Sequence, residues 1–158
     1  MRCWLFKSEP GCFSIQDLAV SPGKSAPWDG VRNYQARNFL RDEITRGDLA
    51  FFYHSVTDPG IVGLMEITGG PRPDPTQWDQ ANDHQDLVLP GSAPRWYLVD
   101  VTLREVFPVP LPLRLLRAQS ELVGMELLKK GSRLSIQPVA QEEYEAIMAL
   151  EHRMTREK

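Results

Sequence analysis

Cysteine is nearly absent from this chain, with Cys3 and Cys12 the only two in 158 residues. Two thiols cannot staple a chain of this length. With no apolar targeting segment at the N-terminus, they point to a reducing, cytoplasmic setting rather than a disulfide scaffold. Long apolar runs are missing too. The longest are broken by Gly, Asp or Pro well short of the roughly 18 residues a membrane span needs, so no membrane partner is expected. Glycine-rich phosphate loops of the GxGxxG and GxxxxGK kinds are absent, which removes the usual support for a nucleotide cofactor, and no cofactor is expected. The three histidines, His54, His84 and His152, have no ligand-like spacing, so no metal site is expected. Net positive charge is missing as well. A formal charge of −3 and a pI near 5.6 argue against a broad basic surface that grips nucleic acid. The total conceals a distribution. Arg32, Arg37, Arg41 and Arg46 lie in one segment, while Asp74, Asp79, Asp83 and Asp86 crowd a polar stretch further on.

What is present, 42% apolar and 25% charged residues, suits one globular domain over residues 1–158 with a buried core. Its most informative stretch is Trp28-Asp29-Gly30-Val31-Arg32-Asn33-Tyr34-Gln35-Ala36-Arg37. Aromatic rings, amides and guanidinium groups here flank the start of a helix. An aromatic face can stack on a base, an asparagine amide can pair with its edge, and arginines can fork onto phosphate. The plainer reading is a core anchor, a helix cap and solvated charges, and the segment alone leaves both open.

Residues 3–7 read as a buried strand, and Ser14 with Asp17 three residues later reads as the capped start of a helical turn. Ala36, Phe39, Leu40 and Ile44 mark a one-sided helix with Asn33 at its N-cap and Gly47 as its stop. Residues 49–54 and 60–67 read as a hairpin across Thr57-Asp58-Pro59-Gly60. A polar, proline-rich stretch over 69–94 has no clear period and reads as a long loop. Residues 95–107 form a long strand ended by Pro108, Pro110 and Pro112. A helix is expected over 113–130, a last strand over 133–139 and an amphipathic helix over 141–152. The pattern is not βαβ-like. It predicts an α+β fold, a small, strongly bent mixed sheet or open β-barrel flanked by short helices.

Three constellations bear on chemistry. Lys7-Ser8-Glu9-Pro10 offers either a polar rim for a ligand or a strand end with a local ion pair. In Tyr53-His54-Ser55, alternation turns Tyr53 and Ser55 one way and His54 the other, with Phe52. His54 then reads first as a hydrogen-bonded core residue. Cys12 near His54 could supply nucleophilic chemistry, but no local signature surrounds it. The acids of the middle stretch look solvated rather than paired for catalysis.

Trp4-Leu5-Phe6-Lys7-Ser8-Glu9-Pro10, the Trp28 to Phe39 stretch, Gly47-Asp48, Phe52-Tyr53-His54-Ser55, Gly60-Ile61-Val62-Gly63, Pro73-Asp74-Pro75-Thr76-Gln77, Pro94-Arg95-Trp96 and the 133–139 block follow one another in order. In these blocks the chain resembles the EVE domain family of the PUA-like superfamily, similar in architecture to YTH domains. The resemblance implies a PUA-like barrel whose cleft takes in a nucleobase, a modified one such as 5-methylcytosine, with DNA favoured over RNA. Carried over by position, it implies base-binding roles for Lys7, Ser8, Trp28, Asn33, Tyr53 and Ser55. Trp28 would stack on the base from a loop away from the core strands, and Asn33 would meet its edge. Lys7 can alternatively meet phosphate, as can Arg32, with Arg37 on the rim. One departure stands out. Where the family carries a Tyr-Asp-Pro-Lys-like stretch, residues 83–90 are acidic and lack the lysine, which would weaken general affinity for phosphate.

The resulting expectation is a non-catalytic reader domain, acting on its own or beside a partner nuclease or other effector. The alternatives are a small hydrolase of modified nucleosides, using Lys7 or His54 for proton transfer, and a protein-interaction module, which would hold Trp28 buried in the core.

Overall fold

A computed structural model describes residues 1–78 and 93–157. Asp79, Asp83, Asp86, His84 and the acidic 83–90 stretch lie outside the described residues. Six strands form one mixed sheet in the order β2-β5-β4-β3-β1-β6. They are β1 (Cys3–Ser8), β2 (Ser25–Pro27), β3 (Leu49–His54), β4 (Gly60–Pro73), β5 (Tyr97–Pro112) and β6 (Ile136–Val139), with α1 (Ile15–Ala19), α2 (Tyr34–Asn38), α3 (Leu113–Arg117) and α4 (Gln141–Glu157) around them. Every described pairing is antiparallel except β1 with β3. That parallel pair needs a crossover, and α1, β2 and α2 form it. The sheet is therefore more βαβ-like at this point than the sequence suggests.

Alternation along β1 and β3 divides the core. Trp4, Phe6, Ala50 and Phe52 face one side with Trp28, Leu40 and Val99. Cys3, Leu5, Phe51 and Tyr53 face the other with Leu111, Leu122, Ile147 and Leu150. α4 closes this second face. Close approach shapes the first: a Cβ on Gly63 would stand 2.5 Å from the Glu105 carbonyl and would also collide with Ile15 Cδ1, so β4 passes this close to the β5 backbone because residue 63 has no side chain.

Several expectations hold. Ser14 Oγ accepts the Asp17 N–H and Asp17 returns the bond to the Ser14 N–H, a complete capping box. Asn33 caps α2. β3 and β4 form the hairpin. Others change. The helix of Ala36 to Ile44 is a short α2 followed by a π-helical turn, with the Ile44 N–H bonded to the Phe39 carbonyl at 2.9 Å. The edge strand β2, which no sequence signal announced, pairs with 100–102 of β5. The start of the expected 69–94 loop continues β4 to Pro73.

β5 runs through Pro108 and Pro110 to Pro112. Beyond Thr102 it pairs with β4 alone among the described residues, so the missing proline N–H groups can face an unpaired edge. The expected 113–130 helix is α3 followed by tight turns at Ser120–Leu122 and Glu126–Leu128. Leu122, Met125 and Leu127 all enter the second core, a spacing of three then two that no α-helix places on one face. Among the described residues, no helix is long and apolar enough to cross a membrane.

Candidate functional site

A cleft of about 590 Å³ opens on the first face between the end of β1, the loop before α1 and the segment joining β2 to α2. Its size falls within the roughly 300–1,000 Å³ typical of small-ligand pockets. Lys7, Ser8, Phe13, Trp28, Asn33 and Ser135 are among its lining residues. The β2 pairing sets the rim, because the Trp28 N–H continues it to the Val99 carbonyl at 2.8 Å.

Trp28 lines this cleft yet is only 7% exposed. Its ring meets Phe6 at 5.2 Å, Phe52 edge-on at 5.2 Å and Phe13 edge-on at 6.1 Å. The expectation of a tryptophan away from the core is thus corrected: aromatic packing makes it a wall of the cleft and a core residue together. The feature that marked the interaction-module reading, a buried Trp28, is present, but the same ring borders a cavity.

Asn33 Oδ1 accepts the Ala36 N–H at 2.9 Å. The cap and the ligand roles, left open by the sequence, are compatible. With the oxygen committed to the helix, the amide NH2 is the part that can read a ligand, and it reads acceptors. Ser8 lines the cleft with its hydroxyl donated to the Phe13 carbonyl at 2.7 Å, which ties the β1 end to the following loop.

Other expected site residues lie elsewhere. Tyr53 is not among the residues lining the cleft. Strand alternation turns it onto the second face, where it is 4% exposed. Ser55 is not among them either, and its main-chain N–H bonds the Ser8 carbonyl at 3.0 Å. Lys7 lines the cleft, but its Nζ lies 5.9 Å from the Tyr53 ring centre. Burial lowers its pKa, with Glu126 acting in the opposite sense.

Arg32, expected to meet phosphate, is spent internally. Its guanidinium donates to Asp74 Oδ2 at 3.2 Å, Thr76 Oγ1 at 2.9 Å and the Val31 carbonyl at 3.1 Å, over the Trp96 ring. Arg37 donates to the Arg95 carbonyl at 2.7 Å and to Asn38, beside the Tyr34 ring. It does not line the cleft.

The organising residue is one the sequence reading treated as solvated. Asp74 is fully buried. It accepts the Gly30 N–H at 2.8 Å, the Thr76 N–H and hydroxyl at 2.9 and 2.6 Å, and Arg32. Burial would raise its pKa, but the hydrogen bonds from Thr76, Gly30 and Arg32 outweigh it and hold the carboxyl below 3.8. Gly30, at φ 79°, turns its N–H onto this carboxylate in a conformation only glycine adopts without strain.

Beside it, Gln77 donates to the Asp74 and Trp96 carbonyls and accepts the Arg95 and Trp96 N–H groups, all within 2.8–3.0 Å. The signal was available. Asp74-Pro75-Thr76 is an N-cap followed by proline at the first helical position, a pairing that announces a capped turn.

His54 is hydrogen-bonded as expected, its Nε2 accepting the Ile15 N–H at 3.1 Å, but it is half-buried rather than a core residue, and burial lowers its pKa from 6.5. Among the described residues, no group of three or more His, Cys, Asp or Glu could hold a metal ion.

The chain is similar to thymocyte nuclear protein 1 of Mus musculus, 43% identical over 94% of this chain and 73% of the relative. Against thymocyte nuclear protein 1 of Homo sapiens it is 41% identical over 95% of this chain and 74% of the relative. A crystal structure of human THYN1 protein in complex with 5-methylcytosine-containing DNA superposes with a TM-score of 0.85, at 42% identity, over 96% of this chain and 98% of that one. A Pseudomonas putida protein superposes with a TM-score of 0.87, at 46% identity, over 94% of this chain and 99% of that one. The EVE domain family matches residues 2–150, and with that span and these relatives the chain belongs to the EVE domain family.

Proposed function

We propose that this cleft takes up one nucleobase, extruded from duplex DNA or presented on a single strand, and that methylated cytosine is preferred over cytosine. One observation carries the reading: an aromatic-walled cleft with an asparagine amide on its rim, in a chain 42% identical to a protein whose structure was solved with 5-methylcytosine-containing DNA. Trp28 and Phe13 offer the base an apolar wall, and the Asn33 NH2 meets an acceptor on its edge. Extrusion costs a few kcal/mol in a duplex. Aromatic contact worth about 1–3 kcal/mol per base and a directed edge contact of similar size offset it. Phosphate contact falls to basic side chains other than Arg32, whose guanidinium serves Asp74.

Binding rather than catalysis is the reading that the proton-transfer groups support. The hydrolase alternative needs Lys7 or His54 as a base in the cleft. The His54 lone pair already accepts a main-chain N–H, and the Lys7 ammonium lies beside Tyr53.

Burying one methyl supplies about 0.8 kcal/mol, or roughly fourfold in affinity. A well-shaped apolar pocket reaches about 1–3 kcal/mol, at most roughly a hundredfold or two. Titrating oligonucleotide pairs that differ in one cytosine methyl, at fixed salt, should give a preference between these limits. Equal binding across cytosine and its modified forms overturns the reading, and release of product from modified nucleosides would favour the hydrolase.

A further inference from the structure

The turn between β3 and β4 is built on a residue its backbone penalises. The Thr57 N–H donates to the Ser55 carbonyl at 2.8 Å, and Val56 between them has φ 71°. This is a γ-turn of the positive-φ kind, which is rare and strained. A left-handed backbone is an outlier for a β-branched side chain. Asp58, two residues on, also has a positive φ of 46°. Glycine or asparagine would hold such a turn at lower cost. Nor does packing explain the valine, which is 75% exposed.

Its position supplies a reason. The Ser55 N–H bonds the Ser8 carbonyl, and Ser8 lines the cleft, so Val56 stands one residue beyond a main-chain contact with the cleft wall. The loop at Cys12 and Phe13, part of that wall, is joined to the same β1 end through the Ser8 hydroxyl. Strained residues gather at ligand clamps, and an outlier of this kind argues from geometry toward function.

We infer that Val56 is a wedge that enters the DNA base stack beside the extruded base and occupies part of the space it vacates. The inference rests on the base-reading function proposed above. Extrusion leaves unstacked neighbours around a gap, and proteins that distort DNA insert apolar side chains between base steps. A γ-turn holds the side chain outward before DNA arrives, so less ordering is required on binding. A single strand has no gap to fill. The wedge therefore acts on duplex and not on single strand.

Val56→Gly, Val56→Asn and Val56→Leu would be compared with the parent on a duplex carrying one central 5-methylcytosine and on the same strand alone, each beside its counterpart with unmodified cytosine. Glycine and asparagine tolerate the backbone and remove the apolar side chain, while leucine keeps it. The expected result is about tenfold weaker duplex binding for the first two, with single-strand binding unchanged and leucine close to the parent. The melting midpoint of Val56→Gly should not fall, because the strained turn is relieved. An unchanged duplex affinity, or equal losses on duplex and single strand, overturns the wedge. A parent protein that shows no preference for the methylated strand in either form overturns the base-reading function, and the wedge with it.

Discussion

On the second face of the sheet, Leu5, Phe51, Ile61 and Leu111 lie in one aliphatic and aromatic core with Ile147 and Leu150 of α4, whereas on the first face Trp28 meets the rings of Phe6, Phe13 and Phe52 beside the cleft. A face covered by a 17-residue helix can be closed by apolar burial, which needs no direction. Among the described residues, the first face has no helix of that length, and part of it is left as the cleft. Its loops are fixed instead by directional bonds to two buried carboxylates. Asp48 accepts the Trp4 Nε1–H at 3.0 Å, the Arg2 N–H at 3.0 Å and both Thr45 donors. Asp74 holds Gly30, Arg32 and Thr76.

The most severe way to break this comparison is to remove an anchor on each side. Asp74→Ala leaves the Arg32 guanidinium and the Gly30 N–H without their acceptor, and removing one partner of a buried ion pair costs about 3–5 kcal/mol. Ile147→Ala opens a cavity beneath α4 at a cost of about 2–5 kcal/mol. Urea unfolding should show comparable losses, but oligonucleotide binding below the transition should fail only for Asp74→Ala. Equal loss of binding in the two variants would mean that the faces are not independent.

A pH titration sharpens the contrast. Burial would raise the Asp48 and Asp74 carboxyls, but their hydrogen bonds outweigh it and set both below 3.8. The unfolded chain then takes up these protons first, and the stability present above pH 3.8 is lost as the pH falls through the lower folded values. Burial lowers His54 from 6.5, so a further loss begins below that pH. On the second face, burial pushes the Cys3 thiol from 9.0 up to about 12, and it raises Tyr53 and Tyr144 above 10.0. Their contribution is complete below the unfolded values and is lost as the pH rises toward the folded ones. Stability should fall in acid through the first face and in alkali through the second. Cys3→Ala should flatten the limb starting near pH 9.0 and leave the acid limb unchanged. An altered acid limb would contradict the assignment.

The smallest effect concerns Asn33. Asn33→Ala removes a cap worth about 1 kcal/mol, whereas Asn33→Asp keeps an acceptor for the Ala36 N–H and removes the NH2 donor. Thermal melting should distinguish alanine from the parent but not aspartate. Base preference should be lost in both variants. Retained preference in Asn33→Asp would confine the residue to its cap.

Local signals in the chain were legible where one residue and its near neighbours suffice. Ser14 and Asp17 announced a capping box, Asn33 a cap, and the 49–54 and 60–67 runs a hairpin, because each depends on contacts within a few residues. The hydrogen bond of His54 was anticipated, but its half-buried position was not. Tyr53 was misplaced in the cleft although strand alternation puts it opposite Phe52, since a position carried over from a resemblance says nothing about which face it occupies. Arg32 and Asp74 were read as a phosphate contact and a solvated acid. Their pairing spans 42 residues, and no local pattern reports a partner at that distance.

The sequence by itself determined the α+β class, the turns, the caps and the aromatic and amide chemistry gathered after Pro27, because propensity and periodicity act over short spans. Only the tertiary structure decided that Trp28 is a wall packed into the core, that Arg32 is spent on a buried aspartate, and that the β3–β4 turn lifts a strained valine beside the cleft wall. The first depends on β2 pairing with β5, the second on the segment after β4 meeting the segment after β2, and the third on β1 lying parallel to β3. Burial and ion pairing are properties of what the chain packs against, and that is settled only when distant segments meet.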